Sequence, residues 1–584
     1  LKSFAGHTKN QVALMQAGAG DILLKALQRH STHEGICENA CGAIGKLAMV
    51  EENQVTLMVA GAGGAILDTL RRHSNTLDEA RDNSWRPGKY AFKAYNKVAM
   101  LATGGGGNVP PAQMPSGVAK EGCEALKNLA ANESNQQVLI EAGIVETILN
   151  VMQILSTNAD VTEQGCGALR NLAMNAGNRV ALVNQGAGKA ILDVMRIHNI
   201  NESVVKRGCG ALRNLAVDPD NKIVLMKLGA GKLILDAMRT HRVNADVAED
   251  GCGALRTLSV NDDNEIALMK LGAGQVVLDA MRTHSTNADV AENGCSALWN
   301  LASNEKHAIT LMSHDAEWAI LDAMQTHCAN ADVAESGCGA LWSLAVNGDH
   351  KIALVRFGAG EAILDAMRTH ASNASVAKFG CAALRNLAFK NENNQVALMA
   401  AGAGETILSA MRTHSANAEV ANYGCWALKN FTTNTESQVV LMASGAGEAI
   451  LNAMQSHSAD TELMKWGSET LEKLHVNADI RVALKRAGVS DLILNAMRAH
   501  CSYAGSAEQC CELLAILTEE VDSHVDLMAA GAGDAILGAI RAHSANVDVA
   551  EFGSAVLWRI AANMSFQDAL FAAGAGETVL STMR

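Results

Sequence analysis

The chain has 584 residues, is 49% hydrophobic but only 3% aromatic, holds five Pro, and carries a formal net charge of −14. One core cannot fill that length, so several domains or a repeat array are required; the net acidity excludes a general binder of nucleic acid or anionic membrane, which needs an electropositive surface. No stretch approaches the roughly 18 apolar residues of a membrane span, the first 30 residues lack a charged-then-apolar signal, and the expectation is a soluble, almost all-α protein.

Self-similarity decides for the array. Gly18, Gly61, Gly186, Gly229, Gly272, Gly358, Gly402, Gly445, Gly531 and Gly574 each open a Gly-Ala-Gly triplet, usually 43 residues apart. Degenerate versions at Gly104, Gly143, Asp315 and Gly488 keep the register and bring the expected count to fourteen repeats, one of them shortened by four residues. In one repeat, residues 221–229 read as a short apolar helix stopped by a left-handed Gly. Residues 230–241 read as a second helix, apolar at helical spacing through Leu233, Ile234, Ala237 and Met238. A third helix follows a polar loop. Its start looks like an acidic capping box at Asp246 to Glu249, and likewise at Asp289 to Glu292, Asp332 to Glu335 and Asp548 to Glu551. Three such helices cannot bury their apolar faces alone, so stacked neighbours must do it.

Ten of the fourteen Cys (Cys41, Cys123, Cys166, Cys209, Cys252, Cys295, Cys338, Cys381, Cys425 and Cys511) share one repeat position. A repeated Cys there reads as a small core residue rather than a bridge partner, and reduced thiols imply a cytosolic or nuclear setting.

A short helix, a Gly turn, a second helix and a third written Ala-Leu-x-Asn-Leu-Ala resemble the armadillo repeat. Residues 211–216 and 426–430 carry the resemblance best, and it covers nearly the whole chain. It implies a right-handed α-solenoid of about fourteen three-helix repeats, with HEAT-type packing as the close alternative. Residues 1–82 and 118–584 are then armadillo repeats. Between them, residues 83–117 hold Pro87, a run of four Gly from 104 and a Pro-rich stretch, which read either as a degenerate repeat with a surface loop or as a hinge or docking loop. Both chain ends fall inside a repeat, so a fragment of a longer protein is expected.

Numbering each third helix from the equivalent of Gly210 as position 0, Ala211, Leu212, Leu215 and Ala216 form the core face. Positions −4, 0, 3, 4 and 7 lie opposite. In armadillo proteins that face lines a concave groove, and the resemblance implies that extended peptides bind there, held by a ladder of Asn. Position 4 is Asn128, Asn171, Asn214, Asn300, Asn386 and Asn430, interrupted by Thr257 and Ser343. An Asn offers both donor and acceptor to a peptide backbone; alternatively it merely tolerates a solvated face.

Position 3 is basic at Lys127, Arg170, Arg213, Arg256, Arg385 and Lys429 and aromatic at Trp299, Trp342 and Trp558. A row of bidentate donors from Lys127 to Arg256 suits an acidic segment, unless it is simply a solvated charged row. Position −4 alternates Glu and Lys; Glu292 and Glu335 share helices with Trp299 and Trp342, a combination that could hold a basic side chain by cation–π attraction, although Glu near a helix start is also expected from the dipole. Small residues at position 0 leave room for a ligand backbone. The Trp-to-Asn pair on which importin-α relies occurs once, at Trp426 and Asn430, which weakens a transport-receptor reading.

Eleven His (His30, His73, His198, His241, His284, His327, His370, His414, His457, His500 and His543) end the second helices, where capping of the last carbonyls is expected. Cys37 with Cys41, and Cys510 with Cys511, lack zinc spacing, and no phosphate loop, nucleophile elbow or dinucleotide fingerprint occurs. No enzyme, cofactor or metal is expected.

The reading is a scaffold or adaptor that holds an extended segment of a partner protein in its groove. That segment would be acidic toward the first half and basic near Trp299 and Trp342, with Trp426 as a further anchor; no nucleic acid or membrane insertion is expected. The alternative is an architectural subunit of a large cytoskeletal or ciliary assembly, touching partners by edges and ends; a nuclear transport receptor is a third reading. A cytoplasmic location is expected.

Overall fold

In a computed structural model, residues 1–75, 114–457, 460–474, 489–499, 504–518 and 522–582 are described, and every regular element among them is helical. No single described helix is long and apolar enough to cross a membrane. The chain divides into two compact units, Leu1–Thr283 and His284–Arg584.

One repeat shows how the sequence makes the fold. Pro219–Lys227 starts with Pro in its first turn and an Asp218 cap that accepts from the Asp220 and Asn221 amides. Gly229 then takes φ 89°, a left-handed conformation that turns the chain directly into Ala230–Thr240. All ten Gly-Ala-Gly turns and Gly143 adopt it, as does Asp315 at φ 56°, so the degenerate turns at 143 and 315 keep the register. The third helix, Ala245–Leu258, differs from the expected acidic cap: its N-cap is Asn244, which accepts from the Val247 amide at 3.1 Å. Asp246 sits inside the first turn, where its charge favours the helix dipole without capping. Asn201, Asn287, Asn330, Asn373, Asn417 and Asn546 cap in the same way.

In the first unit, Glu34–Leu47, Ser116–Leu129, Ala159–Leu172, Glu202–Leu215 and Ala245–Leu258 stack one on the next. In the second, the same holds from Ala288–Leu301 through Ala331–Leu344, Ala374–Ala388, Ala418–Phe431, Thr461–Leu474 and Ala504–Leu517 to Val547–Ala561. The core lies between these helices and the second helices. Val247, Cys252, Ala254, Leu255, Leu258, Ile234 and Leu235 are fully buried in one repeat, and the ten repeated Cys are buried and unbridged. Burial alone pushes thiols such as Cys123 and Cys252 up to about 12, so they stay protonated packing groups.

Ala62–Asn75 packs on Ser116–Leu129 as a second helix packs on the third of its own repeat, and Ser116–Leu129 in turn packs on Glu34–Leu47. The features read at Pro87 and Gly104, and the turn at Gly488, lie outside the described residues.

Within each unit, three ladders of side-chain hydrogen bonds tie successive described repeats together. The His at the end of the second helix, expected from sequence to cap that helix, does not. Its Nε2–H donates to the carbonyl of the turn after the preceding second helix: His198 to Ser156 (2.7 Å), His241 to Asn199 (2.7 Å), His327 to Ser285 (2.8 Å) and His370 to Cys328 (2.9 Å). Arg196, Arg239 and Arg368 reach the other way, to the last carbonyls of the next first helix, at Leu228 (3.1 Å), Leu271 (3.0 Å) and Ala401 (2.8 Å). Buried Asn178, Asn221, Asn264 and Asn394 close the ends of the third helices. These groups satisfy helix-end carbonyls that stacking would otherwise bury unpaired.

Candidate groove face

The stacked third helices present one half-buried row in each unit, and every site residue expected from the sequence lies on it, except that Asn430 is buried. Asn128, Asn171 and Asn214 donate Nδ2–H to the carbonyls of Gly45 (2.9 Å), Lys127 (2.8 Å) and Arg170 (3.0 Å) in the preceding third helix. Asn386 and Asn430 do the same to Trp342 (3.0 Å) and Arg385 (2.9 Å). The Asn ladder therefore first clamps repeat to repeat. An amide has two N–H groups and an acceptor, so Asn171 and Asn214 keep one N–H and the oxygen for another use. Thr257 turns its hydroxyl to Ala254 of its own helix, and Asn300 and Ser343 are half-buried on the same face.

Position 0 was expected to admit a ligand backbone; the molecule fills it from within. A Cβ on Gly210 would meet the Arg170 guanidinium at 2.8 Å, one on Gly253 would meet Arg213 at 2.8 Å, and one on Gly339 would meet the Trp299 ring at 2.5 Å. The long side chain at position 3 lies flat across the glycine of the next helix.

It then reaches one helix further, to position −3, which the sequence reading did not consider. Arg170 makes a bidentate pair with Asp250, 80 residues on, at 3.1 and 3.2 Å. Trp299 meets Phe379 edge-on at 4.5 Å between ring centres, and Trp342 meets Tyr423 edge-on at 5.9 Å. The signal was available as a residue-type match at twice the repeat length, but only contact shows that it matters.

Several anchors assigned to a partner are thereby engaged. Arg170 is held by Asp250, whose side chain is 2% exposed. Burial pushes that carboxyl up, while Arg170, Arg213, Lys206 and Arg207 pull it down. Trp426 stacks on Trp466 at 4.1 Å and carries the Arg385 guanidinium at 4.0 Å. Two groups that close cannot share one ring face, so both faces of Trp426 are covered and only its edge remains for a guest. Arg385 also lies 6.0 Å from Trp342 and 5.5 Å from Tyr423, and bonds Asn386 Oδ1 at 2.8 Å; burial lowers its pKa. The cation expected over Trp342 is thus this chain's own, not one gripped from outside between Glu292 and Glu335. Glu335, raised by burial, accepts from the Ser375 hydroxyl, and Glu292 is half-buried. Lys429 pairs with Glu469 and lies 4.6 Å above Trp466, whereas Trp558 is 74% exposed. Lys127 donates to Gln164 at 2.6 Å, and Arg213 and Arg256 are half-buried.

Among the described residues, no group of His, Cys, Asp and Glu could hold a metal ion. Residues 230–568, more than half of the chain, match the model described as LRRK2 ARM repeat, and residues 132–174 match the Armadillo/beta-catenin-like repeat. No curated protein matches. An engineered protein solved by a structural genomics consortium is similar over 79% of this chain and 99% of its own, at 19% identity and a TM-score of 0.60. A structure from work on a phosphorylation switch in the interaction between cadherin and beta-catenin is similar over 84% of this chain and 96% of its own, at 16% identity and a TM-score of 0.58. At those identities the likeness shows the fold. The model match over residues 230–568 shows the family: the chain belongs to the LRRK2 ARM repeat family, an armadillo α-solenoid of the kind that serves as a protein-binding scaffold.

Proposed function

We propose that the chain is a non-catalytic scaffold that binds an extended segment of a partner protein along its stacked third helices. The observation that carries this reading is the row in the first unit: Asn171 and Asn214 keep spare amide groups beside Lys127, Arg207 and Arg213, all half-buried on adjacent helices. Amides can pair with an extended backbone and the cations with its acidic side chains. A protein partner has precedent in beta-catenin, whose interaction with cadherin is the subject of the neighbouring structure. We place its work in the cytoplasm, since ten buried thiols left unbridged suit a reducing compartment.

One observation favours a second reading, contact by the edges. The first helices expose an apolar residue at one recurring place: Val55, Val180, Ile223 and Ile266 in the first unit, and Ile309, Ile352, Val396 and Val439 in the second, each between 36% and 55% exposed. Such a stripe suits an architectural subunit. Hydrogen exchange of the chain with and without a peptide selected from a displayed random library separates the two. Protection of 159–172, 202–215 and 245–258 supports the groove; protection confined to 176–184, 219–227 and 262–270 refutes it in favour of the edges.

A further inference from the structure

The contact between position 3 of one helix and position −3 of the second helix after it is filled by complementary partners wherever it is seen as a charge pair or a ring pair: Arg170 with Asp250, Trp299 with Phe379, Trp342 with Tyr423. One step before Arg170 and Asp250, the same geometry brings Lys127 to Arg207. Both side chains converge on the space above Gly167, where a Cβ would lie 2.9 Å from Lys127 Cδ and 3.8 Å from Arg207 Cδ. Two cations therefore stand where the next register holds an ion pair.

Among the described residues neither has an ion-pair partner, and the one acid that acts on Arg207, Asp250, does so from beyond pairing distance and is itself held by Arg170. Lys127 bonds the neutral amide of Gln164. Glu124 and Glu163 act on Lys127 only from further off. Asp160 is paired with Lys120, Asp246 with Lys206, and Asp250 with Arg170. Burial lowers the ammonium pKa of Lys127, and Arg207 adds to that, as expected for like charges held together without a counter-ion.

We propose that Lys127 and Arg207 form a clamp for one oxyanion, the carboxylate or phosphoryl group of a side chain in the bound protein segment. The guest supplies the charge that Asp250 supplies to Arg170: its oxygens accept from the Lys127 ammonium and the Arg207 guanidinium together, in charge-assisted bonds. The clamp rests on the groove reading above and gives it a register, because the acidic residue must sit over Gly167.

The test uses the whole chain and three short fluorescent peptides of one sequence, carrying Glu, Gln or phosphoserine at a single position. The Glu peptide should bind saturably and the Gln peptide about tenfold more weakly or worse. Arg207→Asp places opposite charges at this register. It should abolish the preference for Glu over Gln, and Arg207→Gln, which adds no acid near Asp250, should reduce the preference in part. Tighter binding of phosphoserine than of Glu assigns the clamp to phosphoryl groups, and the reverse assigns it to carboxylates. Equal binding of Glu and Gln peptides, or an undiminished preference in Arg207→Asp, overturns the clamp. If those peptides still protect the third helices from exchange, the groove reading survives that failure; if no peptide protects them, both fall.

Discussion

The groove faces of the two units are built on one backbone relation and filled with opposite chemistry. Around Gly210 the crossing side chain is Arg170, tied to buried Asp250 amid Arg213, Lys206 and Arg207. Around Gly339 it is Trp299, wedged against Phe379 and Trp342 in a run of rings that continues through Tyr423. The comparison shows that one crossing of a long side chain over a glycine accepts either a cation or a ring. What polarity decides is the consequence of a mismatch. A misplaced ring would still be apolar surface, whereas Lys127 beside Arg207 sets two like charges together without an ion pair.

The largest expected effect tests the charged side. Arg170→Ala leaves the Asp250 carboxylate buried without its bidentate partner, and should destabilise the first unit by about 3 kcal/mol. Urea unfolding together with exchange of 159–258 reads it; a change indistinguishable from zero would show that Arg213, Lys206 and Arg207 suffice.

A pair of glycine substitutions sharpens the contrast. Each gains about 1 kcal/mol of helix propensity. Gly253→Ala displaces only the Arg213 side chain, which holds no ion pair among the described residues and can swing outward, so it should be neutral or slightly stabilising. Gly339→Ala drives a methyl into the Trp299 ring at 2.5 Å, and overpacking at about 1–3 kcal/mol should outweigh the gain. Thermal melts, with tryptophan fluorescence reporting on Trp299, separate the two; equal melting temperatures would refute the distinction.

The smallest effect concerns pH. Glu512 is pushed up by burial and then by Glu472, Glu508, Glu469 and Asp548. A carboxyl raised in the folded state binds its proton more readily there than in the unfolded chain, so its contribution to stability grows as pH falls toward the carboxylate range and is lost as pH rises through the raised value. The second unit should gain thermal stability on mild acidification, and Glu512→Gln should flatten that gain.

Much of the fold was legible because it repeats. A left-handed Gly, an apolar second helix and a buried Cys each recur on schedule, and local propensity with burial accounts for them without knowledge of the neighbours. The cap was misread at Asp246 because an acid three residues before Glu249 satisfies the capping pattern, whereas the turn from His241 brings Asn244 to the helix start, its amide bonded to the His241 carbonyl at 2.9 Å. The His row was misread for a related reason. A His at a helix end suggests its own carbonyls, yet His241 finds Asn199 of the previous repeat. For the groove face, the sequence placed the right residues on one side and overstated how many stand open: Arg170 and Trp426 are spoken for by Asp250, and by Arg385 with Trp466.

By itself the sequence determined the period, the three helices of each repeat, the core and the identity of the exposed face, because these follow from short-range geometry and hydrophobic spacing. Only the tertiary structure decided which of those exposed side chains meet. Whether residues 80 positions apart touch depends on the distance and angle at which three successive helices stack, and that is set by side-chain volumes and inter-repeat hydrogen bonds acting together rather than by any local pattern.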